Sequence, residues 1–329
     1  MNIIIGTGFA GIQCLHELIK VGISDVLVIE KQSEIGGIWK SNKTEILQSE
    51  LSSYVYRLPD YKVSNYKDTP NNHYIIKYLK KFITDKNYKQ HILFNTEVIN
   101  INVNSNIITY ITKQKLIKTQ KYKFLIDCSG SKKRIPKLPY NTIYKTIHSA
   151  DLSNSILKDI SKNNNYNTEV LLIGGGKSSM ESAYLLHKHN VKFKWKNRSD
   201  RLPYSIYYPY TIINPIILLK IFKELAYTKI YKGELNIDLI KKKLFENNKF
   251  NKKYIKGKNT LLSKVENVIK NIQFEKYNEI KYHNDKIIID NLEYKNIKYV
   301  IFATGYERHD IITKNNKINN PNIINFYKY

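Results

Sequence analysis

Two glycine-rich turns carry the chemistry that can be read from this chain. The first is Gly6-Thr7-Gly8-Phe9-Ala10-Gly11, with Glu30 twenty-four residues after Gly6. The second is Gly174-Gly175-Gly176-Lys177-Ser178-Ser179, with Arg198 and then Ser199 at the same distance from Gly174. In the first turn, Gly6 permits a tight reversal, Gly8 lets the backbone approach a pyrophosphate, and Gly11 lets a helix pack close to a strand. A helix starting there presents unpaired N–H groups and a positive dipole end to an anion. The two units differ in the residue at the ribose-reading position. Glu30 can accept hydrogen bonds from bare ribose hydroxyls, whereas the planar fork of Arg198 suits a 2′-phosphate. The first unit is therefore expected to hold FAD or NAD and the second NADPH. Arg198 also admits a plainer reading, as a solvated arginine at a strand end in a lysine-rich chain.

The elements needed to position these groups are legible. Asn2-Ile3-Ile4-Ile5 is a short buried strand, Cys14, Leu15, Leu18 and Ile19 recur at helical spacing, and Val26 to Ile29 is a second buried strand. Glu169 to Ile173 plays the part of the first strand in the second unit, and Val191 to Trp195 that of the second. Ser179 replaces the third glycine there, a less favourable residue for close packing. After Glu30 and Lys31, the pair Gly36-Gly37 with Trp39 reads as a loop lying against a cofactor. Two late strands, Phe124 to Ile126 and Tyr299 to Phe302, end in small residues and glycine: Ser129-Gly130 and Ala303-Thr304-Gly305. Elsewhere His73 to Phe82 reads as a helix. Glu97 to Val103 and Ile107 to Ile111 read as a hairpin, as do Tyr277 to Tyr282 and Lys286 to Ile289. Pro136 and Pro139 punctuate a crossover, and Lys158 to Thr168 reads as a polar linker. Ile212 to Tyr227 and Leu235 to Phe245 are expected helices.

Composition narrows the remaining classes. A chain of 329 residues, 42% hydrophobic, is long enough for two domains with real cores. It contains no apolar run of spanning length, and Met1 abuts the first strand, so a cytoplasmic protein without a leader is expected. Cys14 and Cys128 form no CxxC pair, which argues against a dithiol reductase. No Ser-His-Asp or metal-ligand constellation stands out, and no metal is expected. The formal charge of +26 has two readings. One is a nucleic-acid partner on a degenerate fold. The other, which weighs more, is a chain-wide bias toward Lys, Asn, Ile and Tyr, with no specific nucleic acid expected.

On these motifs the chain resembles the flavin-containing monooxygenases and their Baeyer–Villiger and N-hydroxylating relatives. The resemblance rests on GTGFAG with Glu30, GGIW at Gly36 to Trp39, GGGKSSMESA at Gly174 to Ala183, and FATGY at Phe302 to Tyr306. It implies an α/β fold of two Rossmann-like dinucleotide-binding domains, an FAD domain interrupted by an NADPH domain. The limits read from the sequence are 1–157, 166–292, and 293–329 for a short return to the FAD domain. It also implies NADPH-driven formation of a flavin hydroperoxide. That species would oxygenate a small molecule bearing a soft nitrogen or sulfur, or a ketone, with molecular oxygen as co-substrate. An NADPH oxidase or reductase that releases peroxide is the alternative on the same scaffold. Three departures are visible. Around His148-Ser149, Thr142, Tyr144 and Leu152 replace the phenylalanine, glycine and aromatic residue of the family fingerprint. Gln48-Ser49-Glu50 falls where relatives carry a flavin-facing amide, which makes Glu50 the candidate catalytic position and Gln48 a cofactor neighbour. The chain also stops at Tyr329, where relatives continue.

Overall fold

A computed structural model describes residues 1–44, 46–47, 49, 53, 56–62, 67, 70–163, 169–199, 265, 268–269, 271–308 and 323–325. The expected helices at Ile212 to Tyr227 and Leu235 to Phe245, and the candidates Gln48 and Glu50, lie outside the described residues.

The chain opens with β1 (Asn2–Ile5), α1 (Phe9–Lys20) and β2 (Val26–Ile29). All four residues of β1 are buried because the strand is central and covered on both faces. A single turn, α2 (Ile38–Ser41), precedes α3 (Asn72–Asp85), whose N-terminus is capped by the Asn71 side chain accepting from the Tyr74 N–H. Ile75, Leu79, Phe82 and Ile83 form its buried stripe. Then come β3 (Ile92–Leu93), an antiparallel meander of β4 (Glu97–Asn102), β5 (Ile107–Ile111) and β6 (Ile117–Lys121), and β7 (Leu125–Asp127). Strand β6 has no apolar alternation to announce it: it carries two lysines, and antiparallel pairing with β5 holds it.

Two short strands flank Pro136 and Pro139: β8 (Ser131–Lys133) precedes them and β9 (Lys145–His148) follows. The expected linker over Lys158 to Thr168 is corrected in its first half: α4 runs Asn154–Asn163. Leu157 and Ile160, one helical turn apart, are buried, and that apolar pair outweighs the local asparagines. Next are β10 (Glu169–Ile173), α5 (Lys177–Lys188) and β11 (Lys194–Asn197). Strand β11 starts later than the sequence suggests, because Val191 continues the helix cap through its N–H to the Leu186 carbonyl. After β12 (Glu275–Lys276), a three-stranded antiparallel sheet is formed by β13 (Ile280–Tyr282), β14 (Ile287–Ile289) and β15 (Leu292–Tyr294). Then come β16 (Ile297–Phe302), β17 (Tyr306–Arg308) and β18 (Ile323–Asn325).

Two five-stranded parallel sheets result, ordered β18-β7-β1-β2-β3 and β12-β11-β10-β16-β9. This is the α/β fold expected of two Rossmann-like units. Each strand–helix–strand crossing places the glycine turn at the carboxyl end of its first strand, next to a later strand that ends in small residues. The segments that follow β7 and β16 meet where β8 and β17 pair antiparallel as a two-stranded ribbon. The N–H of Arg134 donates to the Gly305 carbonyl, and the Thr304 hydroxyl donates to the Arg134 carbonyl.

Candidate functional site: two dinucleotide cradles

The first cradle is a cleft of about 670 Å³ at the start of α1. Its wall brings together Gly6, Gly8, Phe9, Ala10, Glu30, Lys31, Gly36, Gly37, Trp39 and Gly130, all singled out from the sequence. Gly6 has φ +96°, and a Cβ there would lie 2.6 Å from the Cys128 carbonyl oxygen. Gly11 sits behind the wall, where a Cβ would come within 2.0 Å of the Gly6 carbonyl oxygen. The Gly36 N–H donates to the Thr7 carbonyl at 3.1 Å, and Gly37 rests against the Gly8 backbone. Gly8 itself is open: only the Gly37 Cα comes within 4 Å of a modest side chain there, at 3.8 Å. Of the three glycines of the turn, Gly8 alone leaves room for a side chain.

Glu30 holds the turn itself. It is 4% exposed, and its Oε2 accepts from the Thr7 N–H and hydroxyl at 2.7 and 2.6 Å, while Oε1 accepts from the Gln32 N–H at 2.8 Å. Three of its four acceptor sites lock the turn, and one is left for a ligand. Sequence reasoning missed other wall residues. Tyr56 accepts a 2.7 Å bond from the Trp39 indole and packs on Phe9, their ring centroids 4.6 Å apart. Ser129, which the sequence marks as part of a small-residue strand end, also lines the cleft, and its buried hydroxyl has no partner among the described residues. An orphaned hydroxyl, free N–H groups at a helix start and an open glycine together fit the phosphates of a dinucleotide such as FAD.

The second cradle repeats the plan with different tolerances. Gly174 has φ +139°, and a Cβ would lie 2.3 Å from the Ala303 carbonyl oxygen. Around Gly176, at the start of α5, a Cβ would meet nothing within 4 Å. Ser179 is fully buried, and its hydroxyl donates to the Gly176 carbonyl at 2.6 Å, so serine serves where the first unit needs glycine. Lys177 and Glu181 pair across one helical turn at 3.7 Å, with Ser178 between them on the first turn. Lys196 is not at hand for a ligand: it is 3% exposed and ion-paired to Glu275 at 2.5 Å.

Backbone register corrects the sequence count at the strand end. Gly6 donates to the Ile29 carbonyl, and Gly174 donates to the Lys196 carbonyl. The residue after each acceptor is Glu30 in one unit and Asn197 in the other. Equal spacing along the chain hides a difference of one residue, so Arg198 stands one place beyond the position of Glu30, matching Lys31. Arg198 and Ser199 are exposed at that strand end.

Thr304 and Gly305 are not on the wall of the first cleft. The Gly305 carbonyl accepts from Arg134 and, at 3.0 Å, from His148 Nε2. Because His148 Nδ1 accepts from the Ala150 N–H at 3.2 Å, the ring is the neutral Nε2–H tautomer. Burial lowers its pKa first of all, with Lys133 adding to the effect. Tyr144 and Leu152, the other fingerprint positions, are also buried, the Tyr144 hydroxyl on the His283 carbonyl. This segment therefore packs and ties; among its contacts none resembles proton transfer.

These contacts give the pH effect its sign. His148 titrates lower in the folded chain than its ordinary 6.5, so the unfolded chain binds more protons as pH falls below that value. Folding stability is expected to hold above about pH 6.5 and to drop below it. Burial lowers His16 as well, so His148→Gln should reduce the slope without abolishing it. Urea midpoints at pH 7.5 and 5.5 for both proteins measure this, and an unchanged difference would remove His148 from the account.

Comparisons with known proteins agree with this architecture. Residues 3–243 match the family model described as pyridine nucleotide-disulphide oxidoreductase. A curated relative, the FAD-binding monooxygenase acrE of Aspergillus aculeatus, is 28% identical over 144 residues, 41% of this chain and 24% of its own length. The chain thus spans about a quarter of that relative. Among solved structures, the bacillithiol disulfide reductase Bdr of Bacillus cereus superposes with a TM-score of 0.62 at 18% identity, over 93% of this chain and 78% of that one. A variant of the flavin monooxygenase from Stenotrophomonas maltophilia gives 0.62 at 13% identity, over 95% and 80%. These likenesses establish the fold, and the family match spans both glycine turns and the strand ends beyond them. With both cradles in place and nearly three quarters of its length within that match, this chain belongs to the pyridine nucleotide-disulphide oxidoreductase family.

Proposed function

We propose that the chain is the FAD- and NADPH-binding core of a flavin monooxygenase that uses molecular oxygen on a small molecule with a soft nitrogen or sulfur, or on a ketone. The observation that carries this reading is the pair of cradles with unlike strand ends: a buried carboxylate in one, and a neutral amide followed by an exposed arginine in the other. FAD, when bound, supplies electron transfer and oxygen activation. The protein's part is binding and shielding. Gly8 and the start of α1 receive the pyrophosphate, the last acceptor site of Glu30 receives a ribose hydroxyl, and Phe9, Trp39 and Tyr56 make a water-excluding wall. Arg198 and Ser199, with the start of α5, receive NADPH. The limits read from the sequence, 1–157, 166–292 and 293–329, leave β9 and β16 in the FAD unit; because both strands pair into the sheet of β10, we propose instead that they go with the NADPH unit and that β18, paired with β7, goes with the FAD unit.

The test is NADPH consumption by the purified, FAD-loaded protein, with oxygenated product and hydrogen peroxide measured together against a panel of amines, sulfides and ketones. Consumption that ends wholly as peroxide with every compound would favour an oxidase. No NADPH consumption would overturn the reading. A narrower prediction concerns Arg198. A hydrogen bond to a charged group is worth ~1.5–3 kcal/mol, so Arg198→Ala should weaken NADPH about 10- to 150-fold and leave NADH nearly unchanged. Equal losses for both reductants would show that Arg198 does not read the 2′-phosphate.

A further inference from the structure

We infer that Asn197 is a specificity-determining residue of the second cradle, reading the 2′-phosphate from inside the turn while Arg198 does so from outside. The inference rests on the proposal that this cradle seats NADPH. It comes from four observations. Asn197 occupies the register position of Glu30. It is 4% exposed. Its amide lies flat on Gly175, the counterpart of Thr7: a Cβ at Gly175 would fall 1.9 Å from Asn197 Oδ1 and 2.2 Å from Nδ2. Its Nδ2 has no hydrogen-bond partner among the described residues.

The contrast with Glu30 gives the chemistry. The Glu30 carboxylate can only accept, and it spends most of its capacity on Thr7 and Gln32. The Asn197 amide carries two N–H donors and no charge. A buried donor without a partner is costly, and a ligand bringing an acceptor to the mouth of the Gly175 turn relieves that cost. A phosphate oxygen on the ribose is such an acceptor, and bare hydroxyls are weaker ones. A carboxylate in the same place could not donate and would repel the phosphate. Thr7 has a hydroxyl that engages its acid, whereas Gly175 has no side chain at all, and the Asn197 Nδ2 donors are left without a partner among the described residues. On this view, choice between the two nicotinamide dinucleotides is set by the uncharged amide as much as by the arginine beside it.

The experiment titrates NADP⁺ and NAD⁺ into FAD-loaded protein by calorimetry, so that binding is read without turnover. Asn197→Asp keeps the shape and adds the charge. Its preference for NADP⁺ over NAD⁺ should fall at least about tenfold, the effect of ~1.4 kcal/mol, with most of the change in NADP⁺. Asn197→Ser keeps a neutral donor and should hold most of the preference. Flavin absorbance and the urea midpoint of each variant report whether the fold is intact. If Asn197→Asp does not fold, Asn197→Ala replaces it: loss of the donor should weaken NADP⁺ more than NAD⁺, and equal weakening overturns the inference. If Arg198→Ala weakens NADP⁺ while Asn197→Asp leaves both affinities unchanged, the second cradle is an NADPH site and the inference about Asn197 is overturned. If wild type binds neither dinucleotide, the reading of the cradle fails, and the inference with it.

Discussion

Gly8→Val is expected to abolish FAD binding while leaving the apoprotein folded. Within the first turn, Gly6 is hemmed by Cys128, Gly11 by Gly6 and Gly37 by Gly8, but space lies open above Gly8, whose nearest neighbour in the direction of a side chain is 3.8 Å away. Gly8 has φ −66° and ψ −179°, an extended conformation that valine adopts readily. The Cβ is therefore accommodated without a clash, and the two methyls it carries take up space at the approach to the helix start. Blocking two hydrogen bonds to a pyrophosphate, at ~1.5–3 kcal/mol each, should raise the dissociation constant by at least about 100-fold. Stability of the apoprotein should change by less than about 1 kcal/mol. The measurement is flavin absorbance after incubation with excess FAD and gel filtration, beside a urea titration of the apoprotein. Normal flavin content in the variant would remove the cofactor from this cleft.

Gly11→Ala should do the reverse, harming the fold before any ligand is considered. Its Cβ would sit 2.0 Å from the Gly6 carbonyl oxygen and 3.4 Å from the Cys128 Cβ. The obstacle is backbone, so α1 must lift away from β1 and β7. Overpacking of this kind costs about 3 kcal/mol or more, a large part of the stability of an ordinary domain. We expect poor yield of soluble protein, or a urea midpoint far below wild type. Gly176→Ala is the control, since a Cβ there meets nothing within 4 Å and the change should cost less than about 1 kcal/mol. Similar midpoints for the two variants would contradict the close contact of α1 with the first sheet.

How much of this was legible depended on where the determining interactions lie. β1, α1 and β2 are specified locally, by a buried apolar run, a helical stripe and a second apolar run, and the structure puts each where its sequence says. The ten residues named for the first cleft wall were legible because the glycine turn and the GGIW loop are local signals that meet face to face. α4 was hidden by its asparagines, since two buried residues, Leu157 and Ile160, suffice to seat it. The three-stranded sheet ending in β15 was seen only as a hairpin, because Leu292–Tyr294 carries one buried residue of its three. The position of Asn197 was illegible for a different reason. Strand register is settled by hydrogen bonds between β10 and β11, and no count along the chain reveals a connection that pairs one residue early. Tyr56 and the hold of Glu30 on Thr7 were likewise beyond reach, because each depends on a partner distant in sequence.

The pairing of β18 with β7 bears on how the molecule is made. Ile323 lies beside Leu125, roughly 200 residues away, with the whole second sheet encoded between them. Loop closure over that distance is entropically expensive and slow compared with closing the β1–β2 crossing. On the ribosome, at about 5–20 residues per second, β7 leaves the exit tunnel some ten seconds or more before β18 does. Throughout that interval β7 is an edge strand, its outer N–H and C=O groups unpaired beside the apolar core, the condition that invites pairing with another chain. A nascent chain whose first sheet formed in that interval would carry the sheet built but not sealed, and a chaperone that covers a sheet edge would act during that window.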